Sequence, residues 1–569
     1  MSGKANFTYQ TRLNKLLLVL GPMTTLLVSP WTNYDPINLI KLLFTSTIAF
    51  GLLGIIISNW KSFRNKIPKT VMFYLSGFLL FLYLPLITTK APVNQQFWGM
   101  QGRNTGILAY TSLTIILLAS VLVQDLQIYK NLLNSLIFAA AINTIYCLIQ
   151  IAKLDPIKWS EYHPFGTFGN VNFLSSFLGI SSLVCLILIL DKRLSRTRKI
   201  LLLFLVVIDL LIILNTQSIQ GFMIFVAGAG IALFFYIAKK FNSILLNLGY
   251  LIISLGVLIL TVMALVNRGP LKTFIYQRSV EFRGDYIHAG WAMSLSHPFT
   301  GVGVDSYGDW YRFARGFLST NRTGPDRVAN TSHNIFLDIS SSGGFILLAF
   351  YLALLVYAFN KTLRHIMKSE EFDAIAVAIF SAWLAYQFQA CISINQIGVG
   401  IWNWILTGLL IGYPGFSTAD QRLDSKNEKG KLNLKNKDLR KRKSNSILDP
   451  QTSLVSLILG LLGFLLAFIP WKADADFRAA LDKRDLNSII KSTNNPGITA
   501  FHLGIAIDTA LNSNFGPQAY ALDRKLINDF PRDFYGWRVL SVLTLATEEE
   551  RKLAKKKLKE LDPFNPELE

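Results

Sequence analysis

The sequence "ILLNLGYLIISLGVLILTVMALV", residues 244–266, is an apolar run without a charged side chain. As a helix rising about 1.5 Å per residue, it is long enough to cross a hydrocarbon core of roughly 30 Å. Backbone groups in lipid must hydrogen-bond within their own segment, so the run predicts a transmembrane helix. About thirteen such runs recur, from residues 16–29 to residues 453–469. We therefore predict an all-α, polytopic membrane protein with about 13 transmembrane helices and a small soluble helical domain at the C-terminus.

The composition agrees with this class, because 51% of the residues are hydrophobic and 16% are charged. The formal net charge of +21 raises the question of nucleic-acid binding. However, Lys and Arg are concentrated in every second loop between the apolar runs, which is the positive-inside pattern of membrane proteins. We therefore attribute the charge to topology and expect no nucleic acid as a partner.

The same charge asymmetry predicts the orientation. It places the N-terminus in the cytoplasm of a bacterial inner (cytoplasmic) membrane protein and the polar interval at residues 267–334 outside. The first apolar run is not followed by a convincing small-residue cleavage site, so we expect it to stay as a membrane helix. An odd number of spans then puts the C-terminal domain outside as well.

Composition also divides the chain into segments. Residues 1–414 form the polytopic domain, residues 415–451 a basic cytoplasmic linker, residues 452–470 the last transmembrane helix and residues 471–569 the extracytoplasmic domain. In that last domain Ala519 and Leu526 recur 35 residues later as Ala554 and Leu561, a period similar to that of tetratricopeptide repeats. A small helical bundle is the alternative interpretation.

The cysteines offer no metal or disulfide framework. Cys147, Cys185 and Cys391 lie in or beside apolar runs and share no close spacing. We expect neither a metal site nor a cofactor.

Three polar loops on the predicted outer side carry candidate substrate-binding residues. Arg103 precedes a span and is either a topological anchor or a site residue. Asn170 and Asn172 open a helix, where they either cap free N–H groups or contact substrate. Gln220 follows a polar break that is either a tight turn or part of a cavity.

The polar interval itself carries the strongest anion-binding candidates, Arg283 and Arg278. A guanidinium stays charged and forms bidentate hydrogen bonds with phosphate oxygens. Either side chain has an alternative role in a plain ion pair with Glu281 or Asp285.

His333 is the candidate general base. It comes after Ser332, a plausible N-cap, and before Asn334 at the start of an apolar helix. The positive end of the helix dipole disfavours imidazolium, which leaves a neutral ring able to accept a proton. A structural role is the alternative for a histidine at a membrane surface.

Several of these motifs together resemble the bacterial O-antigen ligase and polymerase superfamily. The resemblance is carried by "SHNIFLDISSSGGFILL" at 332–348, "RGDYIHAGWAMSLSHPFTGVGVDSYG" at 283–308, "GTFGNVNFLSSFL" at 166–178 and "FWGMQGRNTG" at 97–106. It extends from Gln96 to about Trp404, and the His-Asn pair before the glycine-containing apolar helix is its most specific part.

The resemblance implies a GT-C-like membrane glycosyltransferase that works without a metal. It would move a glycan from a polyprenyl-pyrophosphate carrier to an acceptor hydroxyl, on a lipid A core sugar or another surface glycan, with inversion at the anomeric carbon. His333 then corresponds to the base and Arg283 to the pyrophosphate contact. The partners are the carrier-linked donor, a lipid or glycan acceptor, membrane lipids and a protein partner of the C-terminal domain.

Other functions stay open. Polysaccharide polymerases and protein O-oligosaccharyltransferases need the same chemistry, and a bicarbonate or anion transporter shares the architecture. The chain also departs from the family in one loop, because Ile219 and Gln220 follow the Ser of "NTQSIQG" where many members have an arginine. A phosphate contact is then either missing or supplied by Arg103 or Arg278.

Overall fold

The computed structural model describes residues 2–159, 162–276, 278–413 and 450–568, and these residues form helices and no strand. The first helices are α1 (Ser2–Leu26), α2 (Asn38–Ser58), α3 (Trp60–Phe63), α4 (Lys69–Tyr83), α5 (Pro85–Thr88), α6 (Val93–Trp98), α7 (Ile107–Val121), α8 (Leu126–Ile151), α9 (Val171–Ile189), α10 (Arg196–Asn215), α11 (Ile219–Phe241) and α12 (Ile244–Leu265). The polar interval contains α13 (Lys272–Ile275), α14 (Arg278–Ser296), α15 (Tyr307–Ala314) and α16 (Phe317–Thr323). The remaining helices are α17 (Ile335–Lys368), α18 (Ala374–Ala390), α19 (Ile397–Gly412), α20 (Pro450–Lys483), α21 (Leu486–Ser492), α22 (Ala500–Asn512), α23 (Gly516–Asp529), α24 (Phe534–Val542) and α25 (Glu548–Leu561).

These helices confirm the predicted fold class. Each predicted apolar run coincides with a helix, and among the described residues eight helices are long and apolar enough to cross a membrane. The chain is an all-α, multi-pass membrane protein. Most of the predicted basic linker, residues 415–451, lies outside the described residues.

Burial separates an inner layer of the bundle from an outer layer. In α9, 83% of the apolar window is buried, and α9 packs against α10, α11 and α18. In α12 only 6% is buried, and its neighbours are α11 and α13. We infer that α12 faces lipid, while α9 forms part of the protein interior.

The last apolar helix, α20, lies along α2 over a stripe of small residues. A Cβ at Gly54 of α2 would lie 2.5 Å from the Cα of Ser456, and a Cβ at Gly463 of α20 would lie 2.4 Å from the carbonyl oxygen of Ser46. Helices in lipid gain from close backbone approach because burial of apolar surface adds little there. The two helices therefore need glycine at these positions.

Helix α17 is interrupted at Gly344, whose φ of 83° lies outside the helical region. The segment between α14 and α15 fills the interruption. The N–H of Phe345 donates to the carbonyl of Pro298 at 2.7 Å, and the N–H of Val302 donates to the carbonyl of Ser341 at 2.7 Å. A Cβ at Gly344 would lie 2.4 Å from the backbone of Phe299, so no larger residue fits without movement.

The C-terminal helices pack on the polar interval through charged side chains. Arg315, after α15, donates to Asp562, after α25, at 2.6 Å, and both side chains are fully buried. Arg312 reaches the same carboxylate at 3.0 Å. Helix α20 continues through position 470, where the last membrane helix was predicted to end. Ala519 and Ala554 are both buried, but their assignment to tetratricopeptide repeats stays a prediction.

We expect Gly54→Ala to destabilise the protein and Gly256→Ala to leave it unchanged or slightly more stable. The added methyl group at Gly54 meets the backbone of α20, and such overpacking costs roughly 1–3 kcal/mol. Gly256 of α12 has open space around its Cβ position, and replacing a helical glycine by alanine gains about 0.5–1 kcal/mol. Thermal unfolding of both variants in the same detergent measures the difference. Equal melting temperatures would contradict the close packing of α2 and α20.

Candidate functional site

His333 lies in the turn before α17 and has a positive φ of 54°. Its N–H donates to Oγ1 of Thr331 at 2.9 Å. The prediction of Ser332 as the N-cap is wrong. The capping acceptor is Oδ1 of Asn334, which accepts the N–H of Leu337 at 3.0 Å. His333 therefore precedes the cap and is held by the turn and not by the helix.

Ser332 stabilises this turn through hydrogen bonds to Asp338 and Asn334. Its N–H donates to Oδ1 of Asp338 at 2.8 Å, and its single hydroxyl proton is shared between the same Oδ1 at 2.8 Å and the carbonyl of Asn334 at 2.9 Å. Asp338 lies in the first turn of α17, so these bonds fold the segment back onto the helix start. The left-handed backbone of His333 is thereby fixed from both sides.

The imidazole of His333 lies against the ring of Tyr286, with centroids 5.3 Å apart and an interplanar angle of 31°. Burial and, to a smaller extent, the positive charges of Arg283 and Arg103 together lower the pKa of His333 to about 4. The ring is therefore neutral at physiological pH. A neutral ring was also predicted from the sequence, but that prediction named the helix dipole as the cause. In the structure the causes are burial and two guanidinium groups.

Arg283, on α14, is half-buried and its side chain forms no hydrogen bond or ion pair with the described residues. The alternative role in an ion pair is wrong, because Glu281 and Asp285 both pair with Arg322 instead. Burial lowers the pKa of Arg283, but an arginine remains charged at physiological pH. Within the described part of the chain, Arg283 is thus a cation without a compensating carboxylate, close enough to His333 to shift its pKa.

Arg103 is buried, with 7% of its surface exposed, so it is not an anchor at the membrane surface. Its guanidinium is paired with Asp305, which also accepts the N–H of Met100 at 2.7 Å. Its Nε has no partner among the described atoms. Arg103 contributes charge near His333, but Asp305 largely compensates that charge.

The other candidates are divided between two places. Asn334 caps α17 next to His333, and its amide donates to the carbonyl of Cys391 at 3.0 Å. Arg278 begins α14, five positions before Arg283, and its side chain lies outside the described part of the structure. Asn334 is thus adjacent to His333 in the chain, and Arg278 shares α14 with Arg283.

The remaining three residues lie where α9 and α11 begin. Asn170 caps α9 by accepting the N–H of Asn172 at 2.8 Å, as the capping interpretation predicts. Asn172 in turn accepts the hydroxyl of Ser218 at 2.7 Å. Gln220 is buried, and neither its amide oxygen nor its amide nitrogen has a partner among the described atoms. No hydrogen bond among the described residues joins this group to His333 or Arg283.

The structure adds residues that the sequence analysis did not single out. Tyr286 contacts the His333 ring, Asp305 neutralises Arg103, and Asp338 holds the turn. Asp338 carried a recognisable signal, since an acidic residue in a first helical turn accepts backbone N–H groups and favours the helix dipole. Tyr286 and Asp305 become neighbours of the site only through tertiary packing.

A model of a known protein family matches the region that contains Arg283 and His333. Residues 204–352 match a family model described as O-antigen ligase, and a comparison with curated proteins gives no match. The matched segment is shorter than the predicted resemblance from Gln96 to about Trp404. It includes Gln220, Arg278, Arg283, His333 and Asn334, whereas Arg103, Asn170 and Asn172 lie before it. The segment that carries Arg283 and His333 is therefore similar to the O-antigen ligase family.

Proposed function

We propose that this protein is a glycosyltransferase that moves a glycan from a polyprenyl-pyrophosphate carrier to an acceptor hydroxyl at the outer face of the inner membrane. The family match supports glycan transfer at a membrane. The observation that carries the finer proposal is the juxtaposition of a neutral imidazole, His333, with an uncompensated guanidinium, Arg283. A ligase acceptor would be a lipid A core sugar or another surface glycan, while polymerisation and protein O-glycosylation use the same step.

The proposed step is a direct displacement. The acceptor oxygen attacks the anomeric carbon, the bond from that carbon to the pyrophosphate oxygen breaks, and the electron pair leaves with the pyrophosphate. The imidazole of His333 takes the acceptor proton, and Arg283 stabilises the charge that accumulates on the leaving group. Attack opposite to the leaving group inverts the anomeric carbon. This chemistry assigns no role to a metal.

The surface of α14 supports a lipid-linked donor. Ile287, Trp291 and Leu295 follow Arg283 at four-residue intervals, and 39%, 51% and 56% of their surfaces are exposed. Residues at this spacing lie along one side of a helix. An apolar stripe that begins at a free guanidinium matches a molecule with an anionic head group and a hydrocarbon chain. We propose that the carrier lies along this stripe with its pyrophosphate at Arg283.

We expect His333→Ala and Arg283→Ala to lose transfer by at least a hundredfold. Removing a general base costs about 10²–10⁴ in rate, and removing one electrostatic contact to a developing anion costs about 10²–10³. The measurement is glycan transfer in membrane vesicles that contain the native carrier-linked glycan and acceptor. His288→Ala and Arg268→Ala are matched controls, because both side chains are exposed in the same polar interval. Near-normal turnover of both site variants would refute the proposed roles.

We also expect two different pH profiles for one reaction. In the free enzyme the pKa of His333 is about 4, so kcat/KM should stay constant from pH 8 to about pH 5 and fall only near pH 4. Bound pyrophosphate neutralises Arg283, which removes a positive charge that lowers the pKa of His333. The imidazole pKa in the complex is then higher, and the acid limb of kcat should lie at higher pH than that of kcat/KM. Coincident acid limbs near pH 6.5 would contradict this electrostatic coupling.

A further inference from the structure

A cavity of about 500 Å³ lies between the polar interval and the C-terminal helices. His333 and Tyr286 line it from the membrane domain, and Arg532, Phe534 and Tyr535 line it from the turn between α23 and α24 and the start of α24. Its volume lies within the range of roughly 300–1,000 Å³ that is typical of small-molecule sites. The proposed base is thus exposed to a cavity whose far wall belongs to another part of the chain.

The two walls are held together by specific contacts. The guanidinium of Arg532 lies 3.6 Å from the ring centroid of Trp310, and its Nε donates to the carbonyl of Asp309 at 3.2 Å. Arg312 stacks on the ring of Phe534 at 3.9 Å while it pairs with Asp562. Since both arginines bridge the polar interval and the C-terminal helices, the cavity is a built feature of their interface.

Arg532, which contributes to the lining of this cavity, has unused hydrogen-bonding capacity. Its NH2 nitrogen is buried and has no partner among the described atoms. The imidazole of His333, on the opposite wall, forms no hydrogen bond with the described residues, and the aromatic rings of Phe534 and Tyr535 lie beside Arg532 in the lining. Aromatic faces with a few convergent donors are suited to the C–H and O–H surfaces of a sugar.

The charged groups of the lining favour an anion. Arg312 shares the single carboxylate of Asp562 with Arg315, and Arg538 lies 3.6 Å from Asp326 at an exposed position. The acidic groups in the lining are Asp309, whose pKa is raised to about 7 by burial, and Asp533, whose pKa burial also raises. Asp309 is partly protonated near pH 7 and therefore repels an anion weakly, whereas the guanidinium of Arg532 in the lining attracts one.

We propose that this cavity is the acceptor subsite and that it binds a saccharide carrying a phosphate or carboxylate group, which Arg532 contacts. The inference rests on the proposed function, because it takes His333 as the group that receives the acceptor proton. Arg283 does not line the cavity, although its charge acts on His333. The donor pyrophosphate, at Arg283, and the acceptor sugar, in the cavity, would therefore approach the imidazole from different sides. The C-terminal domain then selects the acceptor.

Binding can be measured without any transfer reaction. The purified full-length protein in nanodiscs is titrated with glucose, glucuronate and glucose 6-phosphate, and binding is followed by saturation-transfer NMR. We expect at least one of the two anionic sugars to bind about tenfold or more tightly than glucose, because a charge-assisted hydrogen bond contributes that much. The stronger of the two identifies the anionic group. Equal binding of all three sugars would overturn the proposed preference.

Two variants and one control locate the binding. Arg532→Gln should reduce the affinity for the anionic sugars to the affinity for glucose. The control is Arg524→Gln, which removes an exposed arginine paired with Glu550 in the same domain and should leave all three affinities unchanged. Asn330→Trp inserts a ring into the cavity from an exposed position without removing a contact between the walls. This variant should bind all three sugars more weakly. Wild-type affinity in both cavity variants would overturn the proposal.

His333→Ala separates this inference from the proposed function. Its acceptor binding should persist while transfer is lost. Transfer by the wild-type protein together with absence of sugar binding in the cavity would refute the subsite alone. Sugar binding that depends on Arg532, together with normal transfer by His333→Ala, would refute the catalytic role of the imidazole and leave the cavity as a saccharide site.

Discussion

The break of α17 at Gly344, paired with the segment that follows α14, is the interaction on which the arrangement of the site depends. A helix that opens within a membrane domain exposes N–H and C=O groups that must find partners. Here the loop provides them, through Val302 and Gly303 to the carbonyls of Ser341 and Ser342 and through Pro298 to Phe345. These backbone bonds join the end of α14 to the middle of α17. Since Arg283 lies on α14 and His333 directly precedes α17, the same bonds fix the two side chains relative to one another.

The electrostatics of the site are unusual for a stable interior. Arg283 is half-buried and has no anionic partner among the described residues, and His333 is half-buried with a depressed pKa. Removing a charge from water without compensation costs free energy, so a fold optimised for stability alone would place a carboxylate beside Arg283. Asp305 does this for Arg103, whereas Glu281 and Asp285, which flank Arg283 in the sequence, pair with Arg322. An anionic ligand that supplies the missing charge accounts for the arrangement, because perturbed groups of this kind are concentrated at functional sites.

The sequence predicted the helices well because each long apolar run has few alternatives in lipid. Arg283 and His333 were singled out from residue type and from neighbouring motifs, and the structure brings them close enough for Arg283 to lower the pKa of His333, while their roles stay a prediction. The N-cap assignment failed, because Ser332 and Asn334 are both good capping residues and only the bonds to Asp338 decide between them. The environment of Arg103 was not predictable, because Asp305 is two hundred residues away in the chain. The same holds for Arg532 and its cavity, which arise from packing of two parts of the chain.

The contact between Arg315 and Asp562 explains why the C-terminal helices can form one wall of a site. Both side chains are fully buried, and the desolvation of such a pair largely offsets its attraction, so the pair adds little net stability. A misplaced domain, however, leaves both charges buried and uncompensated, which costs about 3–5 kcal/mol. The pair therefore acts mainly on geometry, because it penalises every docking arrangement except the observed one. Arg312 donates to the same carboxylate and also stacks on Phe534, so it fixes the start of α24 in the same way. A cavity bounded by such contacts keeps its shape without a large apolar interface, and this is the property that discrimination among similar sugars requires.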